Sequence, residues 1–188
     1  MLSRLFGPSR LQAQADALYG AIVAQARHPA FYAALGVPDT LDGRFEMVAL
    51  HAFLVLHRLK GDAPAGSGTA QALFDTMFAD MDRSLREMGT GDLGVGRRVK
   101  AMANGFYGRI AAYDAGLAAP ADSAVLEDAL RRNAFGTVRD PAAPPPEAVA
   151  ALARYMRDGA VALRAQDKAR IEAGRVRFPD PAAYGPKH

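Results

Sequence analysis

The stretch from Leu73 to Leu117, LFDTMFADMDRSLREMGTGDLGVGRRVKAMANGFYGRIAAYDAGL, constrains the fold more than any other part of the chain. Its first half places Phe74, Met77 or Phe78, Met81, Leu85 and Met88 at steps of three or four, which is one face of a helix. Its second half does the same with Val95, Val99, Met102, Phe106, Ile110, Tyr113 and Leu117. Gly89-Thr90-Gly91-Asp92 separates the halves. Glycine at 89 suits the left-handed residue just past a helix end, because it has no Cβ to clash there. Asp92 is expected to cap the next helix by accepting a backbone N–H bond. Two amphipathic helices joined by a tight corner are therefore expected. Asp80, Asp82, Arg83, Arg86 and Glu87 crowd the end of the first, and Arg97, Arg98 and Lys100 the start of the second.

The rest of the chain is consistent with helices. It has 188 residues, enough for one domain, and half of them are apolar. Alanine is abundant and β-branched residues are sparse, which favours helix over strand. There is no cysteine, so disulfides and thiolate metal sites are excluded. A net charge of +3 is weak evidence for nucleic acid. No segment reaches about 18 consecutive apolar residues, so no transmembrane helix is expected. The opening MLSRLFGPSR is too short in its apolar run for a secretory signal. Leu2, Leu5 and Phe6 beside Arg4 and Arg10 form either a small amphipathic toe for a membrane surface or a frayed start that packs on the fold.

Taken in order, Ser9 is expected to cap a helix whose stripe is Leu11, Ala15, Leu18, Ile22 and Ala26, stopped by Pro29. A short turn through Phe31, Tyr32 and Leu35 ends at Gly36. Asp42 is expected to cap the next helix, with Glu46 favoured in its first turn by the helix dipole. From Phe45 to Leu59 nearly every residue is apolar, over a length too short to cross a bilayer, which predicts a helix buried in the middle of a bundle. Thr69 and Ser123 are the expected caps of two later helices. A proline-rich stretch around residues 137–146 separates an expected core, 1–136, from a C-terminal helix and tail, 147–188, packed on it. That helix is expected to run toward Gly174 with a polar second half, RAQDKARIEAGR, and the tail beyond Phe178 to be disordered unless docked. The expected fold is all-α: a compact bundle of about six or seven helices with a long C-terminal helix.

No constellation predicts catalysis. Asp80 and Asp82 lie about 200° apart on a helix and cannot share one ion. Asp82 with Arg86, and Arg83 with Glu87, sit at i,i+4 and are expected to form intrahelical ion pairs worth some tenths of a kcal/mol. His51 and His57 are six residues apart and point in different directions, so neither a metal nor a haem site is expected. Gly91-Asp92-Leu93-Gly94-Val95-Gly96 has no strand before it and no Lys-Ser/Thr after it, which leaves a tight corner rather than a phosphate loop. Gly105 and Gly108 inside a helix suggest close approach by another helix, or backbone presented to a partner. Arg97, Arg98 and Lys100 oppose the dipole of their own helix and need compensation from nearby carboxylates or from an anionic partner.

FADMDRSLREMGTGD followed by VGRRVKAMANGFYGRIAAYDAGL resembles the core of the ubiquinol–cytochrome c chaperone family, and RFEMVALHAFLVLHRLK resembles that family's other strong segment. The likeness covers roughly residues 41–118 and departs from the family at His57, where a basic residue is expected. It implies an assembly chaperone for the cytochrome bc1 complex, not an enzyme and without a cofactor, whose client is newly made cytochrome b. The lack of cysteine, of a signal and of a spanning segment fits a cytoplasmic member, bacterial-type or matrix-like, acting peripherally at the cytoplasmic face of the membrane, and the resemblance raises a small partner protein or the ribosome as further contacts. The expected protein-binding face comprises Asp80, Asp82, Arg83, Arg86, Glu87, Asp92, Arg97, Arg98, Tyr107 and Arg109. Two readings from other classes stand beside it: a metal- or haem-handling helical protein using His51 and His57, and an RNA- or ribosome-binding module using the basic patch.

Overall fold

The computed structural model describes residues 9–60, 68–87, 89, 91–137 and 144–186. Among these residues there is no strand, and the all-α expectation holds. Six helices have nine or more residues: α1 (Arg10–Ala26), α3 (Leu41–Lys60), α4 (Gly68–Glu87), α5 (Asp92–Ala118), α6 (Val125–Asn133) and α7 (Pro146–Arg164). Two short segments, α2 (Ala30–Ala33) and α8 (Lys168–Glu172), and a 3₁₀ turn at Pro181–Tyr184 complete them.

The apolar run from Phe45 to Leu59 is the hub. Helix α3 packs against α1, α4, α5, α7 and α8. Met47, Leu50, Phe53, Leu54, Val55 and Leu59 are buried along it. Each such side chain contributes about 1.5–3 kcal/mol by leaving water, before entropy is counted. No helix among the described residues is long and apolar enough to cross a membrane.

Several helix ends differ from expectation. Ser9 does cap α1, its Oγ accepting from the Gln12 N–H at 3.2 Å. At α3 the cap is Thr40, whose Oγ1 accepts from the Gly43 N–H at 3.1 Å, and Asp42 sits inside the first turn. Helix α4 starts at Gly68, so Thr69 lies within it, buried. The Ser123 hydroxyl donates to the Pro120 carbonyl at 2.7 Å instead of capping α6. Gly91 occupies the cap position of α5, and Asp92 is its first helical residue. The Asp92 side chain lies outside the described residues, as do Met88, Thr90, most of the proline-rich stretch, and Leu2, Leu5 and Phe6 of the expected amphipathic toe. At α3 a neighbour two positions away meets the same orphan N–H groups that Asp42 was expected to serve.

The expected long run to Gly174 is interrupted. Helix α7 ends at Arg164, and Asp167 starts α8 by accepting from the Ala169 N–H at 2.9 Å. A short side chain that bonds the backbone two residues on offers the chain a turn in place of continued helix. The break lets Ile171 enter the core. The tail beyond Phe178 is docked: Gln25 donates to the Pro179 carbonyl at 3.0 Å, Pro181 is buried, and the Tyr184 hydroxyl donates to Asp158 at 2.8 Å.

The two glycines singled out in α5 have different surroundings. At Gly105 a Cβ would stand 2.8 Å from the Arg109 guanidinium of the same helix. At Gly108 it would meet nothing within 4 Å. The close approach of a second helix occurs further on, at Gly116, where a Cβ would lie 2.9 Å from the Leu126 Cα of α6. Opposite outcomes are therefore expected on one helix. Gly116→Val should destabilise by about 1–3 kcal/mol, because α6 must move away. Gly108→Ala should stabilise by up to about 1 kcal/mol through helix propensity alone. Urea midpoints of the two variants check this; a neutral Gly116→Val would deny the tight crossing.

Candidate protein-docking face

The turn between α4 and α5 forms as the glycine pattern requires. Gly89 has φ +81° and donates its N–H to the Arg86 carbonyl at 2.9 Å, closing the end of α4. The two helices then pack through an aromatic seam. Phe74 lies 4.5 Å from Phe78 and 6.1 Å from Phe106, ring to ring. Tyr107 leans over Phe74 at 5.6 Å and keeps 59% of its surface open.

Much of the charge at the end of α4 is neutralised internally. Asp80 accepts from the Tyr19 hydroxyl of α1 at 2.8 Å and is ion-paired with Arg83. Burial, and then this bond to Asp80, push the Tyr19 phenol well above its usual range. Arg83 thus turns back to Asp80 rather than forward to Glu87, which reaches it only through its longer-range field. Asp82 and Arg86 do pair at i,i+4, with Nε to Oδ2 at 2.6 Å.

Arg109 belongs elsewhere. Its guanidinium grips Glu46 with two bonds, one of them Nε to Oε2 at 2.7 Å, and lies over the Phe45 ring at 5.6 Å. The Glu46 side chain is 3% exposed and that of Arg109 19%. This bidentate pair ties α5 to α3 and is structural. Charge and position along α5 put Arg109 on the expected docking face, and its partner on α3 takes it away. The one local signal for this is Gly105, one turn before Arg109, which makes room for the guanidinium.

What remains on α5 is an exposed stripe: Arg97, Lys100, Ala101, Asn104, Tyr107, Gly108 and Ala111, recurring at steps of three or four, with Arg98 exposed on its flank. None of Arg97, Arg98 and Lys100 ion-pairs with a described side chain. Asp80 and Asp82, two of the carboxylates expected to compensate them, are engaged within α4 and with α1. Three cations in the second and third turns of α5, without an ion-pair partner among the described residues, form a surface that an anionic group would stabilise.

The histidines do not converge on a site. His51 is fully buried, with Nδ1 2.6 Å from the Met47 carbonyl and Nε2 2.7 Å from the Tyr155 hydroxyl. A carbonyl only accepts, so Nδ1 carries the proton and Tyr155 donates to Nε2. Gln25 in turn donates to Tyr155 at 3.0 Å. The rings of Phe31 and Phe178 stand edge-on to the imidazole at 5.2 and 5.1 Å. His57 points to the surface and meets Asp114 at 2.8 Å. Among the described residues no three His, Cys, Asp or Glu side chains are grouped to hold a metal ion.

A family model described as ubiquinol-cytochrome C chaperone matches residues 33–178, which include both helices of this face. The chain belongs to the ubiquinol–cytochrome c chaperone family. Within that family, the ubiquinol-cytochrome-c reductase complex assembly factor 1 of Xenopus laevis is 28% identical over 116 residues, covering 62% of this chain and 57% of the frog protein. The corresponding factors of Mus musculus and Homo sapiens are 27% identical over 118 residues, covering 63% of this chain and 39% of theirs. The chain thus matches only part of the length of these relatives. A crystal structure of the Cbp3 homolog from Brucella abortus superimposes with a TM-score of 0.77 at 42% identity, covering 92% of both chains.

Proposed function

We propose that this chaperone-family member assists assembly of the cytochrome bc1 complex by holding newly made cytochrome b on the exposed stripe of α5. The names of its relatives support the coarser part of this reading, since those proteins are assembly factors of ubiquinol–cytochrome c reductase. The finer part rests on one observation. Arg97, Arg98 and Lys100 lack ion-pair partners among the described residues and run into an exposed tyrosine flanked by small residues. Cations supply attraction and orientation; Tyr107 supplies a rigid aromatic anchor of the kind that dominates binding energy at protein interfaces. Ala101, Gly108 and Ala111 let a client segment approach the α5 backbone closely, and the Asn104 amide offers it a hydrogen-bonding group. Asp80, Asp82, Arg83 and Arg86 then act as the frame of the face, not as its contacts.

Recovery of cytochrome b on the immobilised protein tests this. The variant Arg97→Glu/Arg98→Glu with Tyr107→Ala should recover at least about tenfold less client, a loss of roughly 1.4 kcal/mol or more. Exchanging Asp82 and Arg86 (Asp82→Arg/Arg86→Asp) keeps their pair and should leave recovery nearly unchanged. Equal recovery by the wild type and the α5 variant, with helical content intact in both, would remove the assignment.

A further inference from the structure

A second charged surface lies around α8 and the segment that follows it. Between residues 164 and 177 five cations accompany two carboxylates, and both carboxylates are engaged. Asp167 caps α8, and Glu172 faces Lys168 at 4.0 Å. Arg164, Arg170, Arg175 and Arg177 are all exposed, and none ion-pairs with a described side chain. Arg170, Arg175 and Arg177 line an open cleft of about 780 Å³ together with Gln166, Val176 and the single carboxylate Asp167.

The backbone holds this group in place. Helix α8 ends with Gly174 at φ +80°; the Gly174 N–H donates to the Ile171 carbonyl at 2.9 Å and the Arg175 N–H to the Arg170 carbonyl at 2.9 Å. This left-handed closure folds Arg175 back beside Arg170 instead of a further turn along a helix. A Cβ at Gly174 would stand 2.5 Å from the Ala17 Cβ, so the closure is seated against α1. The Gln166 side chain clamps the backbone of Arg177 from both sides, accepting from its N–H at 2.9 Å and donating to its carbonyl at 2.7 Å. Guanidinium groups are thus presented from a backbone that is already held in place, so only side-chain ordering remains to be lost on binding.

We propose that this surface docks on a membrane rich in anionic phospholipid, the arginines engaging headgroup phosphates. Guanidinium matches phosphate with two parallel hydrogen bonds. Val161, one turn before the cleft, is 69% exposed, the most open large apolar side chain among the described residues, and suits the boundary between headgroup and acyl chain. An RNA partner fits less well. No aromatic residue lies between 164 and 177 to stack a base, and the adjacent Phe178 is turned inward against His51. This surface is separate in sequence from the α5 stripe, and its docking does not depend on the cytochrome b reading.

Co-sedimentation with vesicles tests the proposal on the full chain. The protein should pellet with vesicles of 3:1 phosphatidylcholine and phosphatidylglycerol at low salt, should not pellet with phosphatidylcholine alone, and should be released as salt rises. Arg170→Gln/Arg175→Gln, which changes only exposed side chains, should weaken partitioning about thirtyfold. The α5 variant described above should bind vesicles like the wild type. Three results overturn the proposal: no preference of the wild type for the anionic vesicles, undiminished binding by the arginine variant, or displacement of the wild type from vesicles by polyuridylate at equal phosphate concentration. The first two need no knowledge of the client. Because the arginine variant retains Leu2, Leu5 and Phe6, binding that survives in it would assign the contact to the N-terminus instead.

Discussion

Arg109→Met is expected to destabilise the protein by about 3–5 kcal/mol, a large part of the stability of an ordinary domain. The substitution keeps an apolar stem near Phe45 but removes both bonds to Glu46. Glu46 is among the few charged side chains buried in the described core. Its carboxylate would stay inside, beneath α5, with its charge uncompensated. Removing one partner of a buried pair costs far more than the pair itself is worth, because the remaining charge has lost its water and gained nothing. For the same reason the double variant Glu46→Leu/Arg109→Met should recover most of the loss. The melting temperature of Arg109→Met should fall by about 10 °C. Chemical denaturation of the wild type, both single variants and the double variant gives the coupling energy. A cost under about 1 kcal/mol for Arg109→Met, or no recovery in the double variant, would show that the pair does not hold α5 to α3.

Stability should also fall steeply on mild acidification, through His51. Burial lowers its pKa from the usual 6.5 to about 4, while the Met47 carbonyl bond opposes that shift. Between these two values the unfolded chain holds the proton and the folded chain does not. Protons therefore favour the unfolded state, and stability is full above pH 6.5 and declines as pH drops toward 4. At about 1.36 kcal/mol per unit the loss is about 3 kcal/mol. Among the side chains that contact the imidazole, Tyr155 is the one other titratable group, and burial pushes its phenol well up, so it stays protonated throughout. A proton on Nε2 would force the Tyr155 hydroxyl to turn away and accept from both His51 and Gln25. Urea midpoints at about pH 7.5 and about pH 4.5, on either side of most of the titration, measure the effect. His51→Gln, which does not titrate, should show a shallower decline than the wild type. Equal declines would mean that other groups carry the acid sensitivity.

The elements differ in how far the sequence makes them readable. The pairing of α4 with α5, the turn at Gly89 and the central place of α3 follow from apolar spacing and one glycine, all within short windows of sequence. Caps shift by one or two residues, since Thr40 and Asp42 compete for one helix start and only the final backbone geometry chooses. The break after Arg164 has a visible signal in Asp167, but the polar run around it reads as continuous solvated helix; Ile171 finds its buried place only because the chain turns there. For the proposed docking face, proximity along α4 and α5 groups the charged residues. It does not separate those already spent on internal pairs.

What the amino-acid sequence determined alone is the all-α class, the apolar faces and the likeness to a chaperone family, because helical periodicity and an ungapped string of residue types are local properties. Tertiary structure decided which polar groups are left over. Glu46 takes Arg109 from 63 positions away, Tyr19 takes Asp80 from 61, and His51 takes Tyr155 from 104. Burial makes a polar group without a partner costly, so these long-range pairs are made and the rest of the charge faces water.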